Sequence, residues 1–354
     1  MESDRSLATL RRHAIARSLF PPTTLPGAID RLGFVQADPI RSPARAQDLI
    51  LRHRVSDYRA GDLERHYPSL DIEEDYLYAY GFLSKPVWQL LHPRKSAKLR
   101  TLEKKVLDLV LELGEAHPRA LEARLGSRRV VNAWGGYSKA TTSALEWLHW
   151  RGVLRIARRE NGIRVYRPSA LPSDIPEPED RLRALVMVYA RIFAPSPEKA
   201  LQSRLARHRD LGNPRKIVGA MIRDGELRTD VCDGVTYVSP SGAVETGEPD
   251  EVRFLAPFDP VVWDRARFEH LWGWAYRFEA YTPVKKRVRG YYAMPMLWGS
   301  DIIGWANATV SSGALDVQLG YVRSRPRDSD FRRELDAEIA RLDSCVSATV
   351  NGKR

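Results

Sequence analysis

The chain has 354 residues, with 56 lysines and arginines against 45 aspartates and glutamates, a formal net charge of +11 and a pI near 9.7. Its 43% hydrophobic and 29% charged residues describe a soluble globular protein of two or three modules, and the basic balance suits a polyanionic partner. Two cysteines, Cys232 and Cys345, exclude a four-cysteine zinc site and a four-thiolate iron–sulfur cluster and argue against a disulfide framework. No apolar leader follows Asp4 and Arg5 and no run of about 18 apolar residues occurs, so a cytoplasmic protein without a membrane span is expected.

Leu7, Leu10, Ala14 and Leu19 recur at helical spacing and predict a helix over residues 5–18, stopped by Pro21 and Pro22. A second helix is expected over 24–32 with Thr24 as N-cap. After Gly33, the run Phe34-Val35-Gln36-Ala37-Asp38 reads as a strand ended by Pro39, with Gln36 and Asp38 on one face and Ala37 on the other. A helix over 99–114 follows from Leu99, Leu102, Val106, Leu109, Val110 and Leu113, and Lys95, Lys98, Arg100, Lys104 and Lys105 read as its solvated face.

Residues 117–167 carry the clearest architectural pattern. A helix at 118–125 ends near Gly126, and Ser138 can cap a second at about 139–151, with Ala144, Leu145, Trp147 and Leu148 facing inward and Gly152 as its stop. Residues 153–158 and 163–166 then form two strands joined by Asn161-Gly162, a turn pair that tolerates positive φ. Helix, helix, hairpin is the order of a winged helix, a variant of the helix-turn-helix. The order recurs: a helix over 214–224 places Val218 and Met221 where the first copy has Leu145 and Leu148, Asp224-Gly225-Glu226-Leu227-Arg228 echoes Arg151-Gly152-Val153-Leu154-Arg155, and Asp233-Gly234 turns into Val235–Val238.

Proline-rich and acidic stretches at 168–180 and 239–250 read as linkers. Beyond them the chain is strand-rich, with 290–298 and 301–306 flanking a Gly299-Ser300 turn and a closing helix at 328–342. The expected fold class is α+β: tandem winged-helix modules with a C-terminal β-barrel-like domain. The expected division is 1–115 for an N-terminal block carrying the Gln-Ala-Asp triplet, 116–168 for the central winged helix, 180–240 for a second, degenerate one, and 251–345 for the β-domain.

No phosphate-binding glycine loop, zinc-protease helix or G-x-S-x-G elbow is present. His53, His66 and His92 lack metal-ligand spacing and read as structural or surface residues, so neither metal nor cofactor is expected. Gln36-Ala37-Asp38 stands out, because a carboxylate beside an amide can hold a water and stabilise a developing sugar cation. The same Asp38 can equally serve only the turn at Pro39.

The run LGFVQADPIRSPARAQDLILRHRV at 32–55 resembles the N-terminal signature of the AlkZ-like DNA glycosylase superfamily, and its Gln-apolar-Asp form is that of the YcaQ (AlkX) branch. WGGYSKATTSALEWLHWRGVLRIARR at 134–159 is similar to the family's central winged helix, and residues 254–297 to its C-terminal β-domain. The segment Asp75–Phe82 departs from the branch's E-Y-W-A-H-E-A-S, with Ala79 where the family has His; Tyr76, Tyr78 and Tyr80 there either border DNA or pack in the core.

The absence of a dimerisation heptad suggests a monomer, and the resemblance implies a protein wrapped round double-stranded DNA that hydrolyses the N-glycosidic bond of N7-alkylated guanine, unhooking some interstrand crosslinks, with Gln36 and Asp38 as the catalytic pair. An N7-alkylated base is already cationic and leaves without a protonating acid, so one carboxylate suffices. Arg41, Arg45, Lys139, Arg158, Arg159, Lys285, Lys286, Arg287 and Arg289 are the expected phosphate contacts. Two other readings stay open on the residues alone: a non-catalytic winged-helix regulator of transcription, and a protein-docking scaffold.

Overall fold

Local capping sets the first helices. Ser6 accepts the Thr9 N–H ahead of the Leu7–Ser18 helix. Thr24 accepts the Gly27 N–H ahead of Leu25–Leu32, and Gly33 closes that helix at φ 74°, a conformation open to glycine. The computed structural model describes residues 3–4, 6–131, 137–170, 174–242 and 250–351. Arg5 at the head of the first expected helix, residues 134–136 of the central segment, and parts of both expected linkers (171–173 and 243–249) lie outside the described residues.

The fold is mixed α+β. Three antiparallel strands, in the order Phe34–Gln36, Tyr80–Ser84, Ile72–Tyr76, carry the Gln-Ala-Asp triplet at one end. The expected strand over 34–38 pairs only as far as Gln36, although the Ala37 N–H still reaches the Tyr80 carbonyl at 3.0 Å. Its centre is tight. Gly81 lies opposite Gln36 in register, and a Cβ there would meet the Val35 carbonyl and stand 2.6 Å from Phe34 Cζ. Gly81→Ala is therefore expected to cost about 1–3 kcal/mol through overpacking, read as a lowered midpoint in chemical denaturation; an unchanged midpoint would show that the strands part freely.

The helix–helix–hairpin order appears twice. Pro118–Leu125 and Ala140–Trp150 precede the strands Leu154–Glu160 and Ile163–Pro168. Glu198–Leu205 and Pro214–Arg223 precede Leu227–Cys232 and Val235–Pro240. Two local expectations are corrected. Ser138 does not cap: it lies in a short strand, Tyr137–Lys139, and its hydroxyl pairs with Ser143 at 2.9 Å. Trp147 does not face inward; it is 37% exposed and stacks on Trp150.

The 168–180 stretch is also shorter as a linker than expected. Pro178 opens the Pro178–Phe193 helix at a position that needs no N–H, and Glu179 and Asp180 fill its first turn. Of the basic run at 95–105, Lys95, Lys98 and Arg100 precede the Thr101–Leu113 helix and only Lys104 and Lys105 lie on it. The C-terminal sheet has four antiparallel strands in sequence order, Val252–Phe254, Met294–Trp298, Asp301–Ser311 and Ala314–Tyr321, and its edges do not pair with one another among the described residues. The Ser329–Asn351 helix packs on it, longer than the expected 328–342.

Three hydrophobic clusters hold these parts together, and each joins distant stretches of chain. One combines Leu49, Leu51 and Leu145 with Phe254, Met294 and Phe331. A second packs Phe34 and Leu83 on Leu185, Tyr189 and Phe193, and a third seats Leu10 and Ile15 against Tyr237, Leu255 and Phe268. Across the first runs a fully buried ion pair, Arg54–Asp259 at 2.9 Å, with Arg54 also donating to the carbonyls of Ser18 and Ile50.

Candidate active site

Asp38 follows the end of the Phe34–Gln36 strand, just before Pro39, and is half-buried. Its Oδ1 accepts the Ile40 N–H at 2.9 Å, so the carboxylate does serve the turn at Pro39. Burial outweighs that hydrogen bond and holds its pKa above the ordinary aspartate value. Gln36 is fixed differently. The Trp263 indole N–H donates to its Oε1 at 2.7 Å. Because indole nitrogen only donates, this bond sets the amide orientation and leaves the Gln36 NH₂ as the free donor.

A cleft of about 250 Å³ opens on Asp38, lined also by Arg45, Gln47, Glu64, Tyr80, Arg159 and Arg164. The Ile72–Tyr76 strand behind it carries three consecutive buried acids, of which Glu74 alone pairs with cleft-lining side chains. Alternation sends Glu73 and Asp75 one way and Glu74 the other. Glu73 pairs with Arg155; Asp75 accepts from Arg94 at 2.8 Å and pairs with His92 at 2.7 Å. Burial pushes Asp75 up, but His92 and Arg94 prevail and hold it at about 2.

Glu74 points toward the cleft side. It pairs with Arg159 through both nitrogens of the guanidinium fork, lies 3.6 Å from Arg164, and accepts the Tyr80 hydroxyl at 2.6 Å. Burial alone would raise the Glu74 pKa; the Arg159 and Arg164 charges outweigh it and lower it. Tyr80 is pushed the other way, by burial and then by the Glu74 charge, while the Arg164 guanidinium sits 4.2 Å from the Tyr80 ring centre. Arg45 bonds to Glu64, and burial followed by the charges of Arg41 and Arg159 lowers its pKa.

Of the expected phosphate contacts, Arg45 and Arg159 therefore stand with Asp38 in one cleft. Arg41 is exposed on an adjoining hollow of about 360 Å³ that also touches Arg45, Asp48 and Val310. The others are elsewhere: Lys139 pairs with Glu122 at 2.5 Å, and Arg158 with Glu115 and Glu160. Lys285 and Lys286 are exposed on a 3-10 turn, whereas Arg287 and Arg289 fold back on their own loop.

The tyrosines of the departing segment divide. Tyr78 is core, wedged against Phe34, Phe193 and Trp263; Tyr80 walls the cleft; Tyr76 is 44% exposed. Ala79 packs into the core at the turn beside them. Of the histidines read as structural or surface residues, His53 is buried with a ring nitrogen on the Phe254 carbonyl, and His92 is buried on Asp75. Glu74, Arg164 and Trp263 were not legible as site residues. The adjacency of three acids in an aromatic strand was the one available signal for Glu74; nothing in the sequence brings Trp263 to Gln36. Tyr292 was missed likewise: its hydroxyl is buried with no hydrogen-bond partner among the described residues, and burial and then the Asp38 charge push its pKa well up.

Residues 29–344 match the family model described as DNA glycosylase AlkZ-like, and the chain belongs to that family. Among solved structures it is similar to the Streptomyces sahachiroi DNA glycosylase AlkZ, with a TM-score of 0.62 over 97% of this chain and 98% of that one at 16% identity. At that identity the likeness speaks for the fold. Among the described residues no helix is long and apolar enough to cross a membrane.

Proposed function

We propose that this protein is a monofunctional DNA glycosylase that hydrolyses the N-glycosidic bond of N7-alkylated, cationic purines in duplex DNA, including those tied into interstrand crosslinks. In this reading the two helix–helix–hairpin units act as winged helices and the open C-terminal sheet stands in for the barrel-like domain. The domain division is 1–115, 116–168, 180–240 and 251–345, and the protein works as a cytoplasmic, nucleoid-associated monomer. The observation that carries it is Asp38: a half-buried carboxylate with a raised pKa, open to a cleft whose other wall is arginine.

The chemistry follows from charge. The cationic base is a leaving group that needs no proton, so the barrier lies in the sugar cation left behind. Asp38 stabilises that oxocarbenium-like state and takes the proton of the attacking water. Gln36, its oxygen held by Trp263, has its NH₂ available to hold that water's oxygen. Arg45, held on Glu64, and Arg159 and Arg164, held on Glu74, still offer donors that suit the flanking phosphates, with the base taken on the Asp38 side. The cleft is small and lies open at a strand end, consistent with a lesion that cannot swing freely into a closed pocket.

The test is single-turnover incubation with duplex DNA carrying N7-methylguanine, followed by alkaline cleavage of abasic sites. Lesion-specific breaks are expected. DNA binding without breaks on either this lesion or a crosslinked one would favour a non-catalytic regulator. Trp263→Phe is expected to lower the single-turnover rate about tenfold, the worth of one orienting hydrogen bond of about 1.4 kcal/mol, at unchanged DNA affinity; an equal rate would remove Gln36 from the water's path.

A further inference from the structure

Residues 273–293 link the Arg265–Trp272 helix to the Met294–Trp298 strand with a single 3-10 turn, Val284–Lys286, as their regular structure. Loops of this length inside a compact protein are usually functional. Among the described residues, three of the four most exposed large apolar side chains lie on it: Tyr281 at 81%, Val288 at 77% and Val284 at 73%. Lys285 and Lys286, both exposed, stand among them.

The loop is braced from within. Buried Glu279 accepts three successive backbone N–H groups through one oxygen: Val288 at 2.9 Å, Arg289 at 2.8 Å and Gly290 at 3.2 Å. Arg287 donates to the Thr282 carbonyl at 2.8 Å across the loop and stacks on Tyr291. These bonds fix the backbone that carries the exposed apolar side chains.

The loop's base adjoins the Asp38 turn. The Asn307 side-chain amide donates to the Arg289 carbonyl, and the next carbonyl along that strand, Ala308, accepts the Ser42 hydroxyl at 3.5 Å. The Tyr281 ring touches Phe278, which touches Tyr292, the residue that feels the Asp38 charge.

We infer that the 281–288 tip is a wedge for duplex DNA: Tyr281, Val284 and Val288 enter the stack beside the lesion while Lys285 and Lys286 hold the flanking phosphates. Apolar side chains with basic neighbours do this in proteins that unstack a base step, and stacking on an aromatic ring is indifferent to sequence. A wedge meets a particular need here. Prying open the neighbouring step would widen access to the sugar of a base that stays in or near the helix, and the base of this loop adjoins the turn that follows Asp38. The inference rests on the DNA-glycosylase reading for its place beside the lesion, but its first readout does not require catalysis.

The full-length protein and a Tyr281→Ser/Val288→Ser variant, matched in circular dichroism, would be bound to an undamaged duplex carrying 2-aminopurine. The wild type is expected to raise its fluorescence several-fold by unstacking; the variant is not, while its slope of log affinity against log salt is unchanged. Lys285→Ser/Lys286→Ser is expected to lower that slope by about 2, one unit for each phosphate left unneutralised. On N7-methylguanine substrates the apolar variant should slow release from duplex about tenfold or more and leave release from single strands unaltered.

Fluorescence that rises equally with both proteins overturns the wedge, as does equal loss on single and double strands. Tyr281-dependent sedimentation with phosphatidylserine vesicles, without unstacking of DNA, would assign the tip to a membrane surface and overturn it too. Unstacking that depends on Tyr281, with no base release by the wild type, would keep the wedge and overturn the glycosylase reading instead.

Discussion

Asp38→Asn is expected to reduce single-turnover base release by about 10²–10³-fold, the usual cost of removing one electrostatic stabiliser of a developing charge, while duplex affinity stays within about twofold. The asparagine oxygen can still accept the Ile40 N–H, so the turn survives. Stability should move the other way. A carboxyl whose folded pKa is raised, as burial raises Asp38 above 3.8, contributes stability that is present below its ordinary pKa and lost as pH rises through the folded value. At neutral pH the ionised Asp38 is therefore a cost, and the variant's Tm should equal or exceed that of the wild type, with any gap closing as the buffer is made acid. The same shift puts the acid limb of the rate profile above the ordinary aspartate range. A variant that turned over normally would remove Asp38 from the mechanism; one that was inactive but lost several degrees of Tm would return it to a structural role.

Glu74→Ala should be the most destabilising single change near the cleft. It strips Arg159 and Arg164 of their shared carboxylate and leaves the Tyr80 hydroxyl without its acceptor. Breaking a buried ion pair by removing one partner costs about 3–5 kcal/mol, which for a chain of this size lowers Tm by roughly 10 °C. The acid dependence is opposite to that of Asp38. The Glu74 pKa is lowered below 4.5, so its contribution is present above that value and lost as pH falls toward the folded one. The gap between wild type and variant should thus be full at pH 7 and narrow below about pH 4.5. A drop under about 2 °C would mean that both guanidiniums reach solvent once released.

The legible parts of this protein were those coded by neighbours in sequence. The Thr24 cap, the Gly33 stop, the Asn161-Gly162 turn and the alternation of 153–166 are each decided within a few residues, and the hairpins and helices fall close to where those signals put them. What failed locally failed to a competing contact. Ser138 has a good capping side chain, but the backbone around it pairs with Arg129–Val131 as a strand, so the helix starts one residue later than expected, at Ala140. Pro178 read as a linker residue, although proline is as much at home in the first turn of a helix as between helices.

At the site, Gln36 and Asp38 stood out by residue type and spacing, as did Arg45 and Arg159 by charge. The Glu74–Arg159–Arg164 cluster spans more than eighty residues of sequence, and charge alone could not separate Arg159, which faces the cleft, from Arg158, whose partners lie outside it. Trp263 and Tyr292 reach the triplet only by folding, and no local pattern marks them.

Gln36 takes its hydrogen bond from Trp263, and Arg54 is neutralised by Asp259. The surroundings of Gln36 and Arg54 thus depend on segments more than 200 residues apart in sequence. While the chain is still on the ribosome, the first block has its carboxylate but neither the indole that orients its amide nor the counter-charge for its buried arginine. A translation product ending before residue 250 has the Gln-Ala-Asp triplet but lacks both the Trp263 indole and the Asp259 carboxylate. Docking of the segment that carries Asp259 and Trp263 therefore completes the surroundings of Gln36 and Arg54.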